Sequence, residues 1–205
     1  MRDLTSRVLT SLVAGAVGVV TVVASPPAQA AATTFTPSGG PDITFTGNNV
    51  TLTIDEANQA LTCNQFEMAL PLEDPGVSRS FRDRVGVAYP IETSDCTNPA
   101  AGETWVEPVG GWGLWVADAE VGSVSPVYLH FVFLAVETGG CYLNIMGTVG
   151  GDFNDATGRL VPTDSTLVIQ SEPSGTTCAD LGFTQGQPVS VNGAWTSSGL
   201  SITNP

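Results

Sequence analysis

The chain has no lysine and a single histidine, His130. The first absence excludes lysine chemistry. The second means that any Ser-His-Asp triad would have to use His130. That residue lies between Leu129 and Phe131 in an apolar run, the setting of a buried or half-buried sheet histidine, and no G-x-S-x-G turn exists to present a nucleophile. Charged residues make up only 13% of the chain, about half the usual share, and long helix-forming charged runs are missing. None of the four cysteines forms a C-x-x-C element and the histidine stands far from them, which argues against a zinc site.

What is present suits strands. Apolar residues make up 42% of 205 residues, enough for a real core in one domain, or at most two small ones. Polarity comes from Thr, Ser, Asn and Gly, residues of exposed strand faces and tight turns. At the amino terminus Arg2 and Arg7 flank a short polar start, an apolar run follows from Val8 to about Ala24, and Pro26-Pro27-Ala28-Gln29-Ala30 ends in a small-residue cleavage pattern. Residues 1–30 are therefore predicted to be a cleaved signal peptide. A retained membrane anchor is the competing reading, but the run is short for a span and contains Gly15 and Gly18. The chain is expected to be secreted, with no membrane association after cleavage.

The formal charge is −14; without Arg2, Arg7 and Asp3 the remainder holds four basic and nineteen acidic residues, a net of −15. Such a surface repels nucleic acid and anionic membranes. An extracellular glycan or a protein is the partner class left open. Cys63, Cys96, Cys141 and Cys178 form an even set in an exported chain and imply two disulfides. Three pairings are possible. Cys63–Cys96 with Cys141–Cys178 is favoured because each closes a local loop, and each such bridge contributes on the order of 3–4 kcal/mol.

The stretch from Cys141 to Leu160 reads as a strand, a polar turn and a return strand. Residues 31–40 read as a loose lead-in, and residues 41–205 as one disulfide-bonded β domain. Within it, Ile43–Thr46 and Val50–Ile54 alternate as strands with Gly47-Asn48-Asn49 as a hairpin signal between them, and Ala60–Leu70 is a longer strand. Arg79, Arg82 and Arg84 stand beside Glu73, Asp74 and Asp83, which makes internal ion pairing the better reading of that basic cluster than anion binding. In the run Val127–Val136, Val127, Leu129, Phe131 and Phe133 would share one face and Tyr128, His130, Val132 and Leu134 the other, the pattern of a central strand apolar on both sides. Val189–Thr196 and Leu200–Thr203 close the domain. About ten short strands and no amphipathic helix predict an all-β antiparallel sandwich, immunoglobulin-like or jelly-roll-like.

Candidate chemistry is sparse. Trp105, Trp112 and Trp115 are the best hint of a ligand site, because an exposed indole stacks on the C–H face of a sugar ring while nearby acids and amides hold the hydroxyls. The same residues could fill the core. Trp112 and Trp115, three positions apart, should face opposite sides of a regular strand. Glu103, Glu107, Asp118 and Glu120 surround these tryptophans and could form a glycosidase carboxylate pair, although acids are so numerous that some such proximity is expected by chance. Asp152, Asn154, Asp155 and Thr157 offer oxygens that Ca²⁺ could use, but Asn-Asp-x-x-Gly is equally a turn sequence. No cofactor is expected and no catalytic residue is assigned.

Leu61-Thr62-Cys63, Gly140-Cys141 with Gly147-Thr148-Val149 and Phe153-Asn154-x-x-Thr157-Gly158, Gly175-Thr176-x-Cys178, and Val189-x-Val191-x-Gly193-x-Trp195 together resemble a family of uncharacterised secreted actinobacterial proteins. The resemblance implies export and a disulfide-bonded β fold and brings no activity. The Trp105–Trp115 stretch and the acidity lie outside its pattern. The neocarzinostatin-like apoproteins, acidic secreted sandwiches with two disulfides that carry a small apolar ligand, offer an analogy of architecture only, since their cysteines close much shorter loops. The reading reached is a secreted, non-enzymatic β-sandwich acting as a binding or surface-associated structural module. The alternatives are a carbohydrate-binding or glycan-active protein and a small-ligand carrier.

Overall fold

A computed structural model describes residues 32–197 and 199–204; the leader predicted over residues 1–30 lies outside them. Sixteen strands follow one another: β1 (Thr34–Ser38), β2 (Asp42–Ile54), β3 (Gln59–Pro71), β4 (Arg79–Ser80), β5 (Arg84–Ala88), β6 (Ile91–Asn98), β7 (Gly102–Pro108), β8 (Trp112–Val116), β9 (Val124–Thr138), β10 (Cys141–Asn154), β11 (Arg159–Ser165), β12 (Leu167–Ile169), β13 (Ser174–Gly175), β14 (Pro188–Asn192), β15 (Trp195–Ser197) and β16 (Ser201–Thr203). The expected all-β antiparallel sandwich is found. The strands outnumber the ten expected and are not uniformly short: β2, β3, β9 and β10 run 13 to 15 residues.

These four long strands frame the body. β2 pairs with β3 from Asp42↔Pro71 to Ile54↔Gln59 around a 3₁₀ turn at Asp55–Ala57. β9 pairs with β10 from Val124↔Asn154 to Thr138↔Cys141. One path joins the two hairpins through β6 and β7 (β3–β6–β7–β9), and another through β11 and β15 (β10–β11–β15–β2), so the hydrogen-bonded circuit closes on itself. A second bridge, β10–β12–β14–β2, lies beside the latter path. Closure leaves fewer bare edges to recruit other chains.

Long strands that must serve several partners change face partway. In β2 the buried positions run Ile43, Phe45, Gly47 and then Val50, Leu52, Ile54, and the break falls at Asn48-Asn49, with Asn49 in the left-handed region at φ 56°. The Gly47-Asn48-Asn49 hairpin is thus corrected to a kink inside one strand. Its N-terminal side pairs with β15 and its C-terminal side with β14. Gly47 is required there because a Cβ would fall 2.7 Å from the Trp195 ring. Trp195 in turn meets Phe66 edge-on at 5.6 Å, and Phe66 packs on Trp112 at 5.9 Å. The predicted single strand Val189–Thr196 is likewise broken at Gly193 into β14 and β15.

The lead-in expected to be loose over residues 31–40 is corrected too. Thr34–Ser38 forms β1 between β16 and β4, and Phe35 is fully buried, stacked 6.2 Å from Phe81. Thr, Ser and Pro suggested a tail, but one apolar side chain with a place in the core suffices to order the segment. β16 is held further by Asp155, whose carboxylate accepts hydrogen bonds from the Ile202 amide and the Ser201 hydroxyl. The favoured disulfides are both present: Cys63–Cys96 ties β3 to β6 and Cys141–Cys178 ties β10 to the loop after β13. They fit an extracellular, oxidising compartment. Of the arginine cluster, Arg84 pairs internally as expected, and Arg79 bonds backbone carbonyls instead of a carboxylate. Arg84 forms a 2.6 Å ion pair with Glu73, while the Arg79 guanidinium donates to the carbonyls of Glu73, Asp74 and Arg84. Among the described residues no helix is long and apolar enough to cross a membrane.

Replacing Phe35 by alanine is expected to cost about 3–5 kcal/mol, read as a drop in the urea midpoint at constant slope. A loss within about 0.5 kcal/mol, the usual surface range, would mean that β1 is not part of the cooperative core.

Candidate functional site

β9 reaches the surface with one face. Its buried side chains are Ser125, Val127 and Leu129, then Val132, Leu134, Val136 and Thr138. The step from 129 to 132 marks a β-bulge: His130 and Phe131 together oppose Thr148 of β10, with Val132↔Gly147 and Leu129↔Val149 on either side. Phe131 takes φ 62°, a left-handed conformation that costs a bulky L-residue about 1–2 kcal/mol. Both bulged side chains point outward. The face sharing expected for the Val127–Val136 run is therefore corrected. Phe131 does not join Val127 and Leu129 but is 74% exposed, and Val132 and Leu134 take the core face. Central placement holds, since β9 pairs with β10 on one side and with β8 and then β7 on the other. The bulge sits where β9 passes from β8 to β7.

At the end of this face nearest the Thr138–Cys141 turn, three side chains share one row: Trp105 on β7, Glu137 on β9 and Tyr142 on β10. Trp105 is 64% and Tyr142 51% exposed. The Tyr142 hydroxyl donates to Glu137 Oε1 at 2.8 Å. This hydrogen bond and the negative charge behind it hold the phenol above its ordinary range, so it stays a neutral donor. Glu107, Asn144, Ser171, Glu172 and Ser174 complete a groove of about 240 Å³ beside the row. On the β6 side of Trp105 a second groove of about 390 Å³ carries Asp95, Ser94 and Glu103, so the indole stands as a ridge between two polar troughs.

The other end of the face carries an aromatic cluster around His130. Its imidazole meets the Trp115 ring edge-on at 5.5 Å, Tyr128 at 5.6 Å and Phe131 at 6.2 Å, and Nδ1 lies 3.2 Å from the Thr148 hydroxyl. Trp115 is half-buried with its indole laid over Gly113, where a Cβ would come within 2.5 Å of its Nε1.

The three tryptophans picked out in the sequence do not form one platform. Trp112 and Trp115 face opposite sides of β8, as their spacing requires, and Trp112 is 2% exposed in the core against Phe66. Trp105 sits opposite Glu137 and Trp115 opposite Tyr128, roughly 30 Å apart along β9 at the usual rise per residue. Of the candidate acids, Glu107 and Glu103 reach the two grooves. Asp118 and Glu120 follow β8 at the far end. There, burial and the neighbouring Asp155 hold the Glu120 carboxyl above the usual range. Glu137 and Tyr142 were missed because the row they form exists only across three strands. Of the oxygens between Asp152 and Gly158, that of Asn154 accepts from the Thr157 amide within the turn, whereas the Asp155 carboxylate holds β16. No family model, no curated protein and no solved structure matches the chain.

The bulge makes a stability prediction. Phe131→Gly should be more stable than Phe131→Ala by about 1 kcal/mol, the reverse of the order in an ordinary strand. Chemical denaturation of both variants checks this; alanine equal to or above glycine would mean that the left-handed backbone is not held.

Proposed function

We propose that this chain is an exported, non-enzymatic carbohydrate-binding module. The observation that carries the reading is the Trp105–Glu137–Tyr142 row, two exposed aromatic rings flanking a carboxylate on a sheet surface. A pyranose presents an apolar C–H face and a rim of hydroxyls. The indole and phenol rings match the face. Glu107, Glu137, Asn144 and Ser174 match the rim, which agrees with the general form of a ligand site, apolar surface with a few placed polar groups. Sheet strands rather than loops hold the row, so its geometry is set before a ligand arrives, which lowers the ordering cost of binding.

The other readings have less support. A small-ligand carrier needs an interior cavity, but the void among Phe66, Trp112, Trp195 and their neighbours is only about 10 Å³, barely the space of one water. For a glycosidase, two free carboxyl groups would have to flank the groove. Glu137 is already engaged by Tyr142. Export, and kinship with secreted actinobacterial proteins, belong to this proposal. The strong negative charge favours neutral or cationic glycans over anionic ones.

Retention of the purified protein on cellulose, chitin, xylan or peptidoglycan tests the reading. Trp105→Ala and Tyr142→Ala should each weaken binding at least about tenfold, the loss of roughly 1.4 kcal/mol, with an unchanged melting temperature. Trp112→Ala should instead destabilise the fold by about 3–5 kcal/mol. Absence of retention on all four supports, or retention indifferent to Trp105→Ala, would sink the proposal.

A further inference from the structure

The exposed large apolar side chains are not scattered over the surface. Nine are found among the described residues, and six of them, Trp105, Val109, Tyr128, Phe131, Tyr142 and Met146, lie on or beside the outer face of β7, β9 and β10. Single exposed apolar residues need no explanation, whereas a contiguous set does. Register links the set along β9 through one mixed, partly polar row. Glu137 stands between Trp105 and Tyr142, Ala135 between Glu107 and Asn144, and Phe133 opposite Met146. After Gly147 the bulge brings out Phe131 and His130, with Tyr128 and Trp115 beyond them. The strip is therefore one lane along β9, with the polar groove at one end and the His130 cluster at the other.

The bulge gives the lane its far half. A regular strand would bury one of His130 and Phe131 and expose the other. Here both face out, at the cost of a left-handed phenylalanine. Strain at a residue that makes no core contact points to use of its side chain. Thr148, the single residue opposite, keeps the imidazole in place through its hydroxyl.

We infer that the groove is the first subsite of an extended one, and that its occupant is a linear polysaccharide chain running along β9 from Trp105 to Phe131 and Tyr128. The inference rests on the carbohydrate-binding reading. It adds that the substrate is polymeric and that length, not only sugar identity, sets affinity. The carboxylates Glu107, Glu137 and Glu172 gather at the groove end. The His130 end offers rings and the Thr148 hydroxyl, with Arg84 opposite Trp115 and the Asp164 carboxylate over Gly150, opposite Tyr128. A chain would thus be hydrogen-bonded at the groove and stacked on rings at the far end, with polar groups in reach at both. Linked contacts on one rigid surface multiply affinity without a new kind of contact.

Calorimetric titration with ladders of cello-oligosaccharides and chito-oligosaccharides, from the disaccharide to lengths above roughly 30 Å, the span of the lane, tests the inference. Within the ladder that binds, the long members should exceed the disaccharide by about a hundredfold, the lower end of linked-site gains. Phe131→Gly, which suits the left-handed backbone, and Tyr128→Thr, which suits an exposed strand, should remove most of that gain while leaving disaccharide affinity unchanged. Trp105→Ala should weaken both. Equal affinity for short and long members, or long-chain affinity indifferent to both far-end variants, would overturn the lane and leave the groove reading standing. Failure of every member of both ladders, together with no retention on the polysaccharide panel, would overturn both. A concentration-dependent dimer in sedimentation that Phe131→Gly abolishes would assign the face to a second copy of this chain and overturn the lane as well.

Discussion

Antiparallel β9 and β10 exchange hydrogen bonds from Val124↔Asn154 to Thr138↔Cys141, and this pairing closes the circuit of strands. Without it the sheet would have two open ends, at β9 and at β10, and the core between the β2–β3 and β9–β10 hairpins would lose one wall. Cys141 anchors the turn end of the pair through its bridge to Cys178. Asp155, in the turn at the other end, fastens the C-terminal strand. Core, closure and chain ends all refer back to this hairpin.

A strand of 13 to 15 residues cannot follow one flat sheet around a closed body. It twists, curves and meets new partners along its length. In this chain the accommodation is local. β2 kinks at Asn48-Asn49 where β15 gives way to β14, and β9 bulges at His130-Phe131 where β8 gives way to β7. The two solutions differ in their chemistry. Asparagine tolerates the left-handed region at little cost. Phenylalanine does not, and its position on the surface rather than in the core connects the architecture to the binding face.

The electrostatics divide in the same way. Two of the three arginines of the β4–β5 region, Arg84 with Glu73 and Arg79 with backbone carbonyls, hold that corner together. The acids of the groove face solvent and ring edges instead, with no arginine among the residues lining it. Arg79 and Arg84 thus serve structure, while the groove carboxylates remain available at the surface.

Much of the fold could be read from composition and local pattern. Alternation, turn residues and the scarcity of charge led to an all-β antiparallel body, and loop length led to Cys63–Cys96 and Cys141–Cys178, because these are properties of neighbouring residues. Phe35 was read as part of a loose tail because the partners that bury it, Phe81 and β16, lie far along the chain. Gly47-Asn48-Asn49 was read as a hairpin because a kink and a turn use the same residues, and only the long pairing of β2 with β3 tells them apart. The candidate site was legible in Trp105 and in the flanking acids Glu103 and Glu107; Trp112 lies in the core and Trp115 in a distant cluster. By itself the sequence determined the class of structure, the number of disulfides and the acidic surface, and favoured the pairing found, since each follows from residue type and near-neighbour spacing. The tertiary structure alone decided which rings reach solvent and which of them stand in one line, because a single bulge reverses the face of every residue beyond it, and the row of Trp105, Glu137 and Tyr142 exists only when three strands lie in register.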